Sequence, residues 1–126
     1  MLTQSLVSVV FEAEQPIETP VAVKVNDEGK LVLCDEVDKF IGIAIPGMEP
    51  DVTTLRTKAS TGPLVVVHKG VTKVAVKAGA YKKGMKLTVD TTTGMLKAAG
   101  NTDTVVALAL EDATAQDGDV LTVFII

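Results

Sequence analysis

The sequence has few aromatic residues and a single arginine, two features that bear on nucleic-acid binding. Its aromatic residues are Phe11, Phe40, Tyr81 and Phe124, and it has no tryptophan. Bases stack on aromatic side chains, and phosphates attract clusters of Arg and Lys. Arg56 is the only arginine, and the net charge is −4 at pH 7. The chain is therefore predicted to bind no nucleic acid.

Cysteines and long hydrophobic runs are also scarce. Cys34 is the only cysteine, so no internal disulfide is expected, which is typical of proteins from reducing compartments. The longest purely apolar run, residues 105–110, is far shorter than the roughly 20 residues that cross a bilayer as a helix. Residues 1–5 lack the basic start of a signal peptide. We therefore expect neither a membrane segment nor a secretion signal.

No pattern of residues indicates an enzyme. His68 is the only histidine, and it lies at a predicted hairpin tip, where an exposed turn residue is the simplest interpretation. A catalytic base also needs a nucleophile and an orienting partner within reach. Cys34 precedes Asp35 and Glu36, and neighbouring carboxylates make a thiol a poorer nucleophile. We therefore predict no catalytic site.

Acidic residues cluster at three places in the chain. The clusters are Asp35, Glu36 and Asp38; Glu111 and Asp112; and Asp117 and Asp119. A calcium ion takes about six to eight oxygen ligands, more than the Asp-Gly-Asp of residues 117–119 supplies. Asp and Gly are also preferred in tight turns. Since the sequence contains no nucleotide-binding, EF-hand or zinc motif, we predict no metal and no other cofactor.

Valine and threonine dominate the composition. The chain of 126 residues contains 20 Val and 15 Thr, and these β-branched residues favour sheets over helices. The length fits one domain. The mean hydropathy of +0.35 is high for a chain without a membrane segment, which indicates apolar surface buried against another subunit. The composition thus predicts an all-β, oligomeric protein.

Alternating apolar and polar residues divide most of the chain into short strands. The predicted strands are residues 3–14, 21–25, 30–33, 40–45, 53–59, 64–67, 71–76, 85–89, 95–98, 105–110 and 120–126. Short strands separated by turn residues are typical of a compact antiparallel β-barrel or sandwich. Pro16 and Pro20 exclude a central strand at the N-terminus. We therefore divide the chain into an extended N-terminal arm or edge segment, residues 1–20, and a single β domain, residues 21–126.

The two halves of the chain share a pattern. Residues 23–45 are predicted to form a strand, a glycine turn, a strand, a polar loop and an apolar strand, and residues 87–110 repeat this order. The offset is 64 residues before the glycine turn and 65 after it. The small residues Gly42 and Ala107 occupy matching positions in the apolar strands. The pattern indicates either an internal repeat or the general likeness of β-hairpins.

Apolar residues outside the predicted core are candidates for contacts with a partner. In the N-terminal segment they are Leu6, Val7, Val9, Val10 and Phe11. An extended segment of this kind can add a strand to the sheet edge of another protein. Deletion of residues 1–14 is then expected to abolish binding and to leave the fold intact. The last strand, residues 120–126, is apolar on both faces and is predicted to be buried on both sides.

The second half of the chain also carries a series of motifs. Glycines are spaced along a hairpin at residues 79–96, an apolar strand ends in Ala-Leu-Glu-Asp-Ala at residues 109–113, and a Gly-Asp turn precedes the last strand. In these motifs the chain resembles the small capsid-decoration, or head cement, proteins of tailed bacteriophages. It departs from the family pattern at Val106 and Ala107, where the family usually has Ile-Gly.

The resemblance covers about residues 20–126 and implies a function. It implies a virion protein that binds the outer surface of a phage head, clamps neighbouring major capsid proteins and forms a homotrimer. Assembly in the host cytoplasm follows from the same resemblance. The sequence patterns also fit another virion module, from a tail or a spike. A small-ligand-binding β-barrel is a further alternative, and it would need an apolar cavity with a few polar groups.

Overall fold

A computed structural model of the chain describes residues 7–46 and 64–126. In these residues it has eleven strands, one 3-10 helix (Val37–Lys39) and no α-helix, so no helix here is long and apolar enough to cross a membrane. The strands are β1 (Val7–Phe11), β2 (Val21–Val25), β3 (Leu31–Leu33), β4 (Gly42–Pro46), β5 (Leu64–Val76), β6 (Gly79–Tyr81), β7 (Lys86–Val89), β8 (Leu96–Ala98), β9 (Ala107–Ala109), β10 (Ala113–Ala115) and β11 (Asp119–Ile125). The predicted all-β class is confirmed. The strand predicted at residues 53–59 lies outside the described residues.

The C-terminal half forms a closed barrel of five strands, which we call the second barrel. Around it the strand order is β5, β11, β9, β7 and β8. Neighbouring strands are antiparallel except for β5 and β8, which run parallel and meet at Val76 and Leu96. This parallel bridge closes the ring, and the Lys77 N–H donates to the Leu96 carbonyl oxygen beside it at 2.9 Å.

The N-terminal half repeats this arrangement, and we call it the first barrel. β1 pairs with β5, β5 with β4, β4 with β2, and β2 with β3. A parallel bridge between Ala13, just after β1, and Leu31 of β3 closes the ring. The Glu14 N–H donates to the Leu31 carbonyl oxygen at 3.0 Å, as Lys77 does to Leu96 in the second barrel.

β5 is one continuous strand that belongs to both barrels. Its first half, up to Lys69, pairs with β1 and β4, and its second half, from Gly70 onward, pairs with β11. The hairpin predicted at residues 68–70 is therefore wrong. Gly70 has a φ of 106°, which glycine adopts at no steric cost. It marks the point where the strand passes from one barrel to the other instead of turning back.

The two barrels agree in strand register as well as in strand order. In the first barrel Val23 of β2 lies opposite Leu33 of β3. In the second barrel Leu87 of β7 lies opposite Ala98 of β8. These are the residues that the sequence pattern matches, at offsets of 64 and 65. The backbone pairing therefore supports the internal repeat and not only a general likeness of hairpins.

The third strand of each repeat follows the same register. Gly42 of β4 lies opposite Val23, and Ala107 of β9 lies opposite Leu87. At Gly42 the strands approach closely, since a Cβ built on this residue would lie 2.4 Å from the carbonyl oxygen of Val67. The small residue predicted to matter at this position is thus required by the backbone of β5.

The inner residues of both barrels are buried and correspond pair by pair. In the first barrel they include Ala13, Val23, Leu31, Ala44, Leu64 and Val66. Their counterparts in the second barrel are, in the same order, Val76, Leu87, Leu96, Ala109, Leu121 and Val123. All of them are at most 5% exposed. Each barrel therefore has a core of its own. Burial of one Val or Leu side chain stabilises a protein by about 1.5–3 kcal/mol.

The barrels also pack against each other. Outer residues of the first barrel lie side by side across β2, β4 and β5, and we call them the covered row: Ala22, Ile43 and Val67. They are at most 2% exposed and belong to the same buried cluster as the inner residues of the second barrel. Two backbone hydrogen bonds cross the contact, from Ala22 N–H to the Gly94 oxygen at 2.8 Å and from Ala75 N–H to the Pro20 oxygen at 2.9 Å.

From residue 7 onward, the N-terminal segment forms part of the first barrel. β1 pairs with β5, Phe11 packs partly buried against the core, and Ala13 and Ile17 belong to that core. The described part of the segment predicted as an arm or edge is one wall of the barrel. The physical reason is that Phe11 and Ala13, two residues apart, supply an apolar face that the barrel interior buries.

The sequence prediction missed two short strands. β6 and β10 pair antiparallel as a separate two-stranded sheet. Residues 78–84 and 111–119 carry no predicted strand. Each of the two strands has three residues, mostly Ala and Gly, so neither contains enough alternation to be detected.

Candidate interaction surface

His68 lies within β5 and not at a hairpin tip. Its ring is partly buried, and Nδ1 is 2.8 Å from the carbonyl oxygen of Ile41. Because a carbonyl oxygen only accepts hydrogen bonds, Nδ1 is the donor in this contact. The imidazole therefore holds the segment that precedes β4 against β5, which is a structural role.

Acidic residues of the C-terminal clusters accept hydrogen bonds from backbone amides. Asp117 accepts a hydrogen bond from the Ala78 N–H at 2.7 Å and pairs with Lys77 at 3.1 Å. These two contacts lower the pKa of the Asp117 carboxyl. Asp112 accepts a hydrogen bond from the Lys83 N–H at 2.8 Å. Within residues 7–46 and 64–126, no group of three or more His, Cys, Asp or Glu is arranged to hold a metal ion.

An open groove of about 470 Å³ lies between the wall of the first barrel and the turn that contains Thr91 and Thr92. This turn connects β7 to β8. On its wall, Lys24 forms ion pairs with Asp35 at 2.6 Å and with Glu36 at 3.0 Å. Hydrogen bonding to Lys24 lowers the pKa of the Asp35 carboxyl, and the same bond raises the pKa of Lys24. These charges satisfy one another, so they do not indicate a bound ligand.

Cys34 is fully buried, and we expect its thiol to be unreactive in the folded protein. Burial is the main cause that raises the pKa of the thiol, so little of the reactive thiolate forms near neutral pH. A thiol-specific dye should label the native protein far more slowly than the urea-unfolded protein. Equal labelling rates would show that the thiol is accessible in the native state.

Four of the five residues predicted to contact a partner lie in β1. Leu6 lies outside the described residues, and Val7 and Val9 lie in the strand. Val10 is 60% exposed. Phe11 is partly buried against the core of the first barrel. Of the side chains that can be described, Val10 is therefore the one that β1 presents to a partner.

The second barrel carries an apolar surface that the sequence analysis did not predict. Outer residues lie side by side across β7, β9, β11 and β5, and we call them the uncovered row: Lys86, Leu108, Phe124 and Val71. Leu108 and Phe124 are partly exposed, and Val71 is 47% exposed. Leu110 and Ile126, each directly after a strand of this surface, are 39% and 55% exposed. These side chains make the outer face of β9 and β11 apolar.

This surface corrects the prediction that the last strand is buried on both sides. In β11, Leu121, Val123 and Ile125 are buried, whereas Phe124 is partly exposed. The apolar residues on both faces of β11 are the sequence signal for this surface, because a strand that is apolar on both faces needs a layer of protein on each side. Within the described residues the second barrel covers one face, and the other face faces outward.

Comparisons with known proteins show a likeness of fold. No protein-family model matches the chain, and no curated protein matches it. Among solved structures, the chain is similar to the crystal structure of the head fiber gp8.5 N base of bacteriophage phi29, with a TM-score of 0.51 and 18% sequence identity. The likeness covers 96% of this chain and 94% of that chain. At this identity it supports a shared fold.

Proposed function

We propose that this chain is a structural, non-enzymatic protein of a tailed-phage head, which binds the outer surface of the capsid as a homotrimer and stabilises the major capsid protein shell. The observation that carries the proposal is the likeness of fold, over nearly the whole chain, to the base of a phage head fiber. It joins the independent resemblance of the sequence motifs to capsid-decoration proteins. The location that follows is the outside of the virion.

The architecture suits a protein that binds through its surface. Both barrels are filled by their own side chains, and the inner residues are at most 5% exposed. A small-ligand barrel would need an apolar cavity inside, so the packing favours surface contacts. A shell offers the same contact many times by symmetry. A protein that spans several capsid subunits therefore stabilises the shell through many weak contacts.

The capsid contact that we propose is the outer side of β1. This strand contains Val7, Val9 and Val10 of the predicted contact set. Val10 is the most exposed large hydrophobic side chain among residues 10–45 and 64–126. Burial of one valine side chain at an interface stabilises it by about 1.5–3 kcal/mol, which makes Val10 the residue to test.

Replacement of Val10 with aspartate is expected to weaken capsid binding at least about tenfold, which is about 1.4 kcal/mol per site. The charged side chain would have to lose its hydration at the contact. Co-sedimentation with expanded, DNA-free capsids measures the change. Since Val10 is exposed, the thermal unfolding of the variant should match that of the wild type.

Thr114→Asp, a change at an exposed position of β10, is the matched control and should bind like the wild type. If Val10→Asp binds as well as this control, β1 is not the capsid contact. If the wild type itself does not bind capsids, the proposed function is wrong.

A further inference from the structure

We propose that a second copy of this chain docks on the uncovered row through its first barrel, and so repeats between copies the contact that the two barrels make within one chain. The proposal concerns self-association, which the proposed function includes, and it does not depend on capsid binding. It begins from the internal repeat, which assigns a counterpart to each residue of the contact between barrels.

The covered and uncovered rows occupy the same positions in the two repeats. In the first barrel Ile43 lies opposite both Ala22 and Val67. In the second barrel Leu108 lies opposite both Lys86 and Phe124. The rows therefore match strand for strand: Ala22 with Lys86, Ile43 with Leu108, and Val67 with Phe124.

The two rows differ in what covers them. The covered row is at most 2% exposed because the second barrel packs against it. The uncovered row has no such neighbour among the described residues, and Leu108 and Phe124 remain partly exposed. Among residues 10–45 and 64–126, five large hydrophobic side chains are strongly exposed, and three of them, Val71, Leu110 and Ile126, lie on this face. Contiguous apolar surface of this kind marks an interface.

The surface that receives the covered row also has a counterpart. Within one chain, Gly94 and Ala75 of the second barrel accept and donate the two crossing backbone hydrogen bonds. The register places Gly29 and Glu12 at the same positions in the first barrel. Both are exposed, and a Cβ built on Gly29 meets nothing within 4 Å. We call this part of the first barrel, which includes Gly29 and Glu12, the receiving surface. It is open to the uncovered row of another copy.

The charges at the two surfaces are complementary. Lys86 stands in the uncovered row where the covered row has Ala22. Glu12 stands on the receiving surface of the first barrel where the second barrel has Ala75. Both of these charged residues are exposed in one chain. A contact between copies built on the same plan brings Lys86 of one copy toward Glu12 of the next, which favours this pairing over the reverse one.

The contact joins two different surfaces, so it is head-to-tail. Each copy offers one uncovered row and one receiving surface, and a chain of such contacts closes into a ring when the rotation between copies allows it. A ring of three copies would be the homotrimer of the proposed function. The exposed Val10 lies two residues before Glu12, and the residue that corresponds to Val10 in the second barrel is Lys73. Lys73 stays partly exposed beside the contact between the barrels of one chain. Val10 is therefore expected to stay accessible beside the contact between copies, so β1 keeps surface for the capsid.

The test is the solution mass of the full chain, measured by light scattering over a series of protein concentrations. The wild type should be an oligomer of the 13.2 kDa chain. Val71→Asp, which places a charge in the uncovered row at a half-exposed position, should be monomeric and remain folded, with a far-UV circular dichroism spectrum like that of the wild type. Thr114→Asp should keep the wild-type mass. A wild type that is monomeric at its highest soluble concentration would overturn the proposal, as would a folded Val71→Asp variant with the wild-type mass.

A mixing experiment identifies both surfaces. Glu12→Lys places a like charge opposite Lys86 and should weaken self-association, while Lys86→Glu combined with Glu12→Lys should restore it. Val71→Asp retains its receiving surface, and Glu12→Lys retains its uncovered row. The row of the Glu12→Lys chain can therefore dock on the receiving surface of the Val71→Asp chain, and every other pairing includes a damaged surface. An equimolar mixture should therefore give a complex of two chains and no larger species. Failure of the charge exchange together with absence of the two-chain complex would overturn the head-to-tail arrangement.

The outcomes separate this proposal from the proposed function. A wild type that oligomerises through the uncovered row but does not bind capsids contradicts the proposed function alone. A wild type that binds capsids, and whose Val71→Asp variant is folded with an unchanged mass, contradicts the interface between copies alone.

Discussion

Replacement of Gly42 with alanine is expected to destabilise the protein by about 3 kcal/mol or more. The added Cβ would lie 2.4 Å from the Val67 carbonyl oxygen and 2.7 Å from a methyl carbon of Val66. Gly42 also has a φ of 155°, a backbone conformation that residues with a side chain rarely adopt. Both neighbours belong to β5, the strand that the two barrels share, so β5 cannot move away without disturbing both cores. Urea unfolding of the variant measures the loss.

Gly29→Ala is the matched control for this substitution. Gly29 also has a positive φ, of 80°, but a Cβ there meets nothing within 4 Å. Backbone conformation alone should then cost about 1–2 kcal/mol. If Gly42→Ala is no more destabilising than Gly29→Ala, the close approach of β4 and β5 does not limit the side chain at residue 42.

Deletion of residues 1–14 is expected to unfold the first barrel. The deletion removes β1 and its pairing with β5, and it also removes Ala13, whose bridge to Leu31 closes the ring. Five-stranded closure then fails, and buried residues such as Leu64 and Val66 lose their neighbours. The stability of a domain is only about 5–15 kcal/mol, so the loss of a whole strand exceeds what the barrel can sustain.

Amide hydrogen exchange measures this outcome directly. In the truncated protein, the amides of β2, β3 and β4 should exchange far faster than in the wild type, because their protection depends on the closed barrel. Wild-type protection of these strands after the deletion would contradict the closed first barrel. On the sequence alone the fold is expected to survive this deletion, and the pairing of β1 with β5 reverses that expectation. Capsid binding is therefore better tested by Val10→Asp than by truncation.

Local alternation was enough to predict most of the strands. Val21, Val23 and Val25 alternate with Ala22 and Lys24, and the structure has β2 at these residues. The same holds for β7, where Leu87 and Val89 alternate with Lys86 and Thr88. The offset of 64 and 65 residues between the halves also survives in the register of the barrels.

The sequence was misleading where a glycine had two structural uses. The His68-Lys69-Gly70 segment has the composition of a turn, but Gly70 marks a change of partners within one strand. Only pairing over long distances distinguishes these cases, because β5 finds β4 on one side and β11 on the other. Such tertiary pairing is not encoded in the residues next to the glycine.

The candidate surfaces were predictable in part. The exposed Val10 belongs to the predicted contact set, whereas Phe11, its neighbour, points toward the core. The uncovered row was missed because an apolar residue on an outer face has the same sequence pattern as a buried one. Leu108 and Ile43 are alike in sequence, and only the position of the second barrel buries Ile43 and leaves Leu108 partly exposed.

The proposed capsid binding is the central claim, and binding of the purified wild-type protein to expanded, DNA-free capsids of a tailed phage whose genome carries its sequence tests it most directly. The measurement is quantitative co-sedimentation over a range of protein concentrations. The account predicts saturable binding with a fixed number of copies per capsid, and bound capsids that resist heating better than bare ones. Absence of binding at every concentration, or bound protein that rises without saturation and leaves capsid stability unchanged, would contradict it.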